Sequence, residues 1–180
     1  MHRLVALAAV AGTLVAGAAQ ASAATRTIRT NGDGWITRIG ELRTRSTPPT
    51  FERVSAAFGR PTSVEPVGDG GEACRITWSA LRFRATFANF GVGRACAPTE
   101  GLLQTATIRS RKFRTTGNLR VGDRSSRIED KHPGAVFRDN VWWITSADSP
   151  AAGTEIPTIE AIVKQGRVEV LRLWVGGAGD

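Results

Sequence analysis

The sequence predicts an α+β fold that is mostly β, organised as two repeats of a short helix followed by three antiparallel strands. Three observations carry this expectation. Apolar and polar residues alternate over several stretches of six or seven residues, the period of a strand with one buried face. Two short helical patterns begin at Thr50 and Asp123, residue types that cap helix N-termini. Each half of the chain closes on a long apolar strand, Leu102 to Ile108 and Val168 to Val175. Hydrophobic residues make up 41% of the chain and charged residues 22%, the balance of a folded domain rather than a disordered segment.

Residues 1–23 read as a cleavable secretory signal. His2 and Arg3 precede an apolar stretch from Leu4 to Ala19, and Ala21-Ser22-Ala23 offers the small side chains that signal peptidase accepts one and three residues before the cut. The stretch is shorter than the roughly 20 residues of a spanning helix, and no later segment is apolar for long enough to cross a bilayer. The expected mature chain is therefore secreted, without a transmembrane span.

Residues 24–34 form a polar N-terminus that ends in the turn Asn31-Gly32-Asp33-Gly34. The turn is no EF-hand, since Arg29 stands where an acid is needed and Gly40 where the bidentate Glu would be. The first repeat is expected over 35–114. It opens with an extended segment carrying Trp35, Ile36, Ile39 and Leu42, closed by Pro48-Pro49. A helix follows, with Thr50 as N-cap, Phe51, Val54 and Phe58 at helical spacing, and a stop at Gly59 before Pro61. Beyond the Gly-rich loop at Gly68 to Gly71, Cys74, Ile76 and Trp78 alternate with Arg75 and Thr77. Leu81, Phe83, Ala85 and Phe87 then alternate with Arg82, Arg84 and Thr86, so the two strands make a hairpin around Ser79-Ala80. A third strand, Leu102 to Ser110, is expected to continue into Arg111 to Arg114.

The second repeat is expected over 115–180. Asp123 caps a short helix that runs through Ile128 and ends before Pro133-Gly134. Strands follow at Val141 to Thr145, Thr158 to Lys164 and Arg167 to Val175, the last two joined by a turn at Gln165-Gly166. Internal duplication is weighed against a single larger α+β sheet without symmetry.

The stretch from Thr50-Phe51-Glu52-Arg53-Val54 to Phe58-Gly59-Arg60-Pro61, followed by strands, resembles the helix-to-G-x-P segment of the SmpA/OmlA lipoproteins. The doubled order of elements is similar to that of the β-lactamase inhibitory protein family, and the resemblance implies two helix-plus-sheet repeats. The chain departs from that family in having cysteines in its first half only and no tyrosine, so the resemblance extends to architecture and not to inhibition. Leu119-Arg120-Val121-Gly122-Asp123 and the Trp142-Trp143 pair also resemble uncharacterised secreted proteins of GC-rich Gram-positive bacteria.

Two cysteines, Cys74 and Cys96, are expected to form one disulfide in an oxidising compartment, the alternative being two buried thiols. Their spacing does not suit a zinc site. His132 is the candidate base of a secreted hydrolase, with Ser125 or Ser126 as nucleophile, but nothing in the pattern brings them together. The acid pair Glu129-Asp130 points apart on a helix. The Gly-rich runs carry no phosphate-loop or dinucleotide fingerprint, and no cofactor is expected.

The net charge is +8, and nearly all the positive charge is arginine. Arg109, Arg111, Arg82 and Arg84, with Trp142 and Trp143, are the candidate binding surface, the mixture of guanidinium and indole found at binding hot spots. Adjacent residues on a strand face opposite sides, so Trp142 and Trp143 cannot share a face. Nucleic acid is not expected as a partner, since no known binding motif is present. The expected function is a secreted, non-catalytic binding module for a protein or an anionic cell-envelope polymer, recognised through a sheet face. A hydrolase using His132 and a structural envelope protein are the alternatives.

Overall fold

A computed structural model of the chain describes residues 25–44, 47–68, 71–91, 93–149 and 152–176. The expected signal, residues 1–23, lies outside the described residues. The strands are β1 (Arg26–Thr30), β2 (Ile36–Ile39), β3 (Leu42–Arg43), β4 (Ser63–Val67), β5 (Ala73–Trp78), β6 (Phe83–Ala88), β7 (Leu102–Ile108), β8 (Phe113–Thr115), β9 (Val136–Arg138), β10 (Val141–Ser149), β11 (Thr154–Lys164) and β12 (Arg167–Trp174). Helix α1 spans Phe51–Phe58, and α2 (Ile128–Lys131) continues a 3₁₀ turn over Ser125–Arg127. The fold is mostly β, with two short helices and two sheets.

The smaller sheet has the order β3-β2-β1-β8, and β1 runs parallel to β8. The larger has the order β4-β5-β6-β7-β12-β11-β10-β9, and each neighbouring pair in it is antiparallel. It consists of two four-strand meanders, β4 to β7 and β9 to β12, joined through their last strands. Leu171 faces Ile108 and Leu173 faces Ala106 across that seam.

The core lies between one face of the larger sheet and the elements that cover it. Cys74, Ile76, Trp78, Phe83, Ala85 and Phe87 alternate along β5 and β6, and all are buried. Ile28 and Ile39 of the smaller sheet, Val54 of α1 and Ile128 of α2 join the same cluster. The Phe58 ring stands 4.9 Å from Phe83, 6.1 Å from Phe113 and 6.2 Å from Trp78, which clamps α1 against both sheets. The Trp78 indole N–H donates to the Gly59 carbonyl at 2.7 Å, satisfying a polar atom that burial would otherwise leave without a partner.

Several sequence expectations match local geometry. Thr50 caps α1 through its hydroxyl, which accepts from the Arg53 N–H, and Gly59 ends the helix at φ +84. Ser79–Leu81 forms the β5–β6 turn. Gln165 and Gly166 both have positive φ, as a two-residue type I′ hairpin requires. At Asn31–Gly34 the Asn31 carboxamide oxygen accepts the Trp35 N–H. Gly34 (φ +85) packs so tightly on the Ser146 carbonyl that no Cβ could fit, and its own carbonyl accepts from the Thr158 hydroxyl at 2.7 Å.

Three expectations are corrected. Each half contributes four strands to the larger sheet rather than three. The additional strands are β4, an edge strand whose Pro66 has no N–H to donate, and β9, three exposed residues; neither alternates visibly. The strand from Leu102 does not continue to Arg114. It ends at Ile108, because the Ser110 hydroxyl accepts the Lys112 N–H and turns the chain, so that Phe113 enters the smaller sheet as part of β8. Asp123 does not cap the second helix. Its carboxylate instead accepts from the Arg120 N–H at 3.0 Å and from Lys131 Nζ at 2.6 Å, and the 3₁₀ turn starts after Arg124 without a side-chain cap.

Candidate binding face

On a strand, residues that alternate with the core side chains point to the opposite face. The strand registers connect these residues across all eight strands of the larger sheet. One row runs Ser63, Thr77, Arg84, Thr107, Arg172, Glu160, Trp143 and Val136, each directly opposite the next. None of these side chains belongs to the core cluster. Arg75 and Thr86 lie beside the row on β5 and β6, and Trp174 lies beside it on β12.

The middle of this face holds a hollow of about 470 Å³. Its walls include Arg82, Arg84, Arg109 and Arg172, with the hydroxyls of Thr77 and Thr107, and Ile162 and Val170 add apolar surface. Two of the guanidinium groups are already neutralised. Arg109 Nη1 meets Glu169 Oε1 at 2.9 Å, and Arg172 Nη1 meets Glu160 Oε2 at 3.1 Å. Glu160 is buried, and its Oε2 also accepts the Trp174 indole N–H at 3.1 Å. The carboxylate therefore fixes a guanidinium and an indole side by side on the open face, as buried charge requires partners. Arg82 and Arg84 are exposed and have no ion-pair partner among the described residues. Arg82 is held at φ +47 at the end of the β5–β6 turn, where its carbonyl accepts the Arg109 N–H at 2.9 Å. That bond brings the two arginines to one rim of the hollow.

The six predicted surface residues are thus divided. Arg84 and Trp143 share the open face, and Arg82 and Arg109 stand at the hollow's rim. Trp143 lies under the Arg138 guanidinium, 5.0 Å from ring centroid to Cζ. Trp142 faces the other way. It packs against the core cluster and its ring lies 5.5 Å from Phe137. Arg111 is far along the chain's turn out of the sheet and lines a separate hollow with Gly122 and Arg124. Sequence reasoning missed Arg172, Trp174 and Glu160. The alternation of Val170, Arg172 and Trp174 was a usable signal for one shared face, whereas the pairing of β7 with β12, which sets Arg172 beside Arg84, is not written in either strand.

Cys74 and Cys96 form the expected disulfide, with Cα atoms 5.1 Å apart. It fastens the loop after β6 to the buried side of β5. His132 sits behind α2, where its Nε2 and the Thr115 hydroxyl share a hydrogen bond of 2.6 Å. The same hydroxyl accepts the Leu119 N–H at 3.0 Å. Burial, reinforced by the neighbouring Lys131 charge, lowers the His132 pKa below its usual 6.5. Ser125 and Ser126 are not its hydrogen-bond partners. The Ser125 N–H donates to Gly166, and Ser126 lines the hollow that holds Arg111. Among the described residues no group of three or more His, Cys, Asp or Glu side chains could hold a metal ion, and no helix is long and apolar enough to cross a membrane.

The chain matches no protein-family model and no curated protein. Two solved structures are similar in part. One is an extracellular protein containing an SCP domain from Bacillus anthracis, at 12% identity and a TM-score of 0.40, covering 71% of this chain. This chain spans 43% of that protein's length. The other is the uncharacterized protein yfeY from Escherichia coli, at 12% identity and a TM-score of 0.37, covering 82% of this chain and 99% of that one.

Proposed function

We propose that this chain is a secreted, non-catalytic binding protein built from two helix-plus-meander repeats, and that it recognises a protein or an anionic cell-envelope component through the open face of its larger sheet. The observation that carries the reading is the row across that face, where unpaired Arg84 stands two strands from the fixed pair of Arg172 and Trp174. A guanidinium and an indole fixed by one carboxylate, beside a hollow that mixes arginine and threonine with Ile162 and Val170, offer area at little cost in side-chain entropy, which is the chemistry of a binding hot spot. The export signal expected over residues 1–23 and the Cys74–Cys96 disulfide support an extracytoplasmic location. The two meanders, each preceded by a short helix, support the repeat reading and the likeness to the β-lactamase inhibitory protein family in architecture.

The test is retention from cell-envelope extracts on the immobilised mature chain, compared with an Arg84→Glu/Trp174→Ala variant of unchanged circular dichroism. The expected result is a species retained by the first and released by the second. If nothing is retained at any salt concentration, or if the variant retains the same species equally, recognition through this face is refuted.

A further inference from the structure

A second cluster of arginines lies away from the open sheet face, at the end of the β11–β12 hairpin. The β12 backbone holds the segment after β8 there. The Gly122 N–H donates to the Val168 carbonyl at 2.7 Å, the Val168 N–H returns to the Asp123 carbonyl at 2.9 Å, and the Ser125 N–H donates to Gly166 at 2.9 Å. These bonds set Arg124 directly opposite Arg167 in an isolated antiparallel bridge. Like charges facing each other across a bridge oppose its formation.

Two further features raise the positive charge at this point. Arg167 Nη1 donates to the Gly122 carbonyl at 2.9 Å. Gly122 has φ +91, and a Cβ placed there would meet the Arg111 side chain, with Nε at 3.6 Å and Cζ at 3.7 Å. Two guanidinium groups therefore converge on one glycine. Arg124, Arg127 and Ser126 complete a hollow of about 400 Å³.

The one carboxylate in this hollow, Asp123, feels the Arg111 charge but offsets the four arginines only in part. Asp123 is held by Lys131 Nζ at 2.6 Å and by the Arg120 N–H at 3.0 Å. Among the described residues Arg111, Arg124, Arg127 and Arg167 have no ion-pair partner. A folded chain that gathers four guanidinium groups around one carboxylate already engaged by a lysine gives up stability unless an anion supplies the rest of the counter-charge.

We propose that Arg111, Arg124, Arg127 and Arg167 form a site for a phosphate-bearing anion. Phosphate fits better than carboxylate, because its charge and its several acceptor oxygens can engage more than one guanidinium fork at once. The hollow exceeds a single phosphate, so it suits a diphosphate or a phosphodiester with its substituents. The same chemistry occurs in a free diphosphate and in an anionic lipid headgroup, which the experiment separates.

The purified mature chain is titrated with inorganic pyrophosphate by calorimetry, and is sedimented with vesicles of phosphatidylglycerol or of phosphatidylcholine alone. The variant is Arg124→Gln/Arg127→Gln, and the charge-matched control removes two exposed arginines on α1 and beyond it, Arg53→Gln/Arg60→Gln. The wild type and the control are expected to bind pyrophosphate alike, and the variant about tenfold or more weaker, the loss of charge-assisted bonds rather than of net charge. Pyrophosphate should also raise the thermal midpoint of the wild type and leave that of the variant unchanged. Arg124-dependent binding to phosphatidylglycerol vesicles without pyrophosphate binding would assign the site to a lipid headgroup. Binding to neither probe, or an equal loss in variant and control, would overturn the site. Since the open sheet face is untouched by these substitutions, retention of an envelope partner there succeeds or fails independently.

Discussion

The two halves of the larger sheet reach the same meander by different means. In the first, α1 is eight residues long and capped by Thr50, and its Phe58 belongs to a ring cluster with Trp78, Phe83 and Phe113. A disulfide fastens the loop that follows β6. In the second half α2 has four residues, of which only Ile128 is buried. Its position depends on directional bonds: Lys131 to Asp123 at 2.6 Å and to the Asn118 carbonyl at 2.7 Å, and His132 to Thr115 at 2.6 Å. Three of its aromatic residues, Phe137, Trp142 and Trp143, lie toward the sheet edge on β9 and β10, where Phe137 is 56% exposed against Trp142. A helix that buries enough apolar area is held by packing from many directions. One that buries a single side chain needs specific polar partners to fix its place.

The sharpest way to break the comparison is to remove the covalent tie. The bridge closes a loop with a sequence separation of 22 residues, and on the chain-entropy account Cys74→Ala/Cys96→Ala lowers stability by about 3 kcal/mol. Urea denaturation measures the loss. Because β7 and β12 make the sheet continuous, the two halves are expected to unfold as one unit, so amide exchange should accelerate in β10–β12 as well as in β5–β7. Faster exchange confined to the first half would show that the halves unfold separately.

The same contrast explains what was legible in the sequence. The first half's helix and hairpin announce themselves, because buried side chains recur at helical or strand spacing between Thr50 and Phe87. Where a segment is short, exposed or tied by polar bonds, periodicity has nothing to report. Ser63–Val67 is an edge strand containing Pro66, and Val136–Arg138 has three exposed side chains. Asp123 carries the chemistry of a cap and does another job, since Lys131 one helix away competes for its carboxylate. The candidate face was half readable. Arg82, Arg84, Arg109 and Trp143 follow from composition and alternation, but the ladder that joins Arg84 to Arg172 through Thr107 depends on a pairing between residues far apart in sequence. Arg111 and Trp142 were misplaced because a turn at Ser110 and the facing of β10 are decided by tertiary packing.

The polar clasp of the second half gives the next largest effect. Both partners of the Lys131–Asp123 pair are largely shielded, with side-chain exposures of 15% and 16%. Burial by itself would raise the Asp123 pKa, but the Lys131 and Arg120 hydrogen bonds and the charges of Lys131 and Arg111 prevail and lower it from 3.8. Asp123→Ala leaves the Arg120 N–H and part of the Lys131 ammonium without partners, at a cost of about 2 kcal/mol. Lys131→Met removes the charge while keeping much of the side chain's length, and is expected to cost less. If the two substitutions prove equally harmless in urea denaturation, the clasp is not what positions α2.

The smallest expected effect is the one that most specifically identifies the second half. His132 titrates below 6.5 in the folded protein because burial, and after it the Lys131 charge, disfavours the imidazolium. On acidification the unfolded chain therefore takes up this proton first. The contribution of His132 to stability is complete above pH 6.5 and declines as the pH falls below that value toward the folded pKa. Urea midpoints measured from pH ~7.5 down to ~5 should drop for the wild type, and His132→Asn should remove that part of the slope while the disulfide variant retains it. The second comparison isolates the effect, since loss of the first half's covalent tie lowers stability at every pH alike. A slope unchanged by His132→Asn would mean that α2 is not held through the imidazole and Thr115, and that the polar account of the second half rests on Lys131 and Asp123 alone.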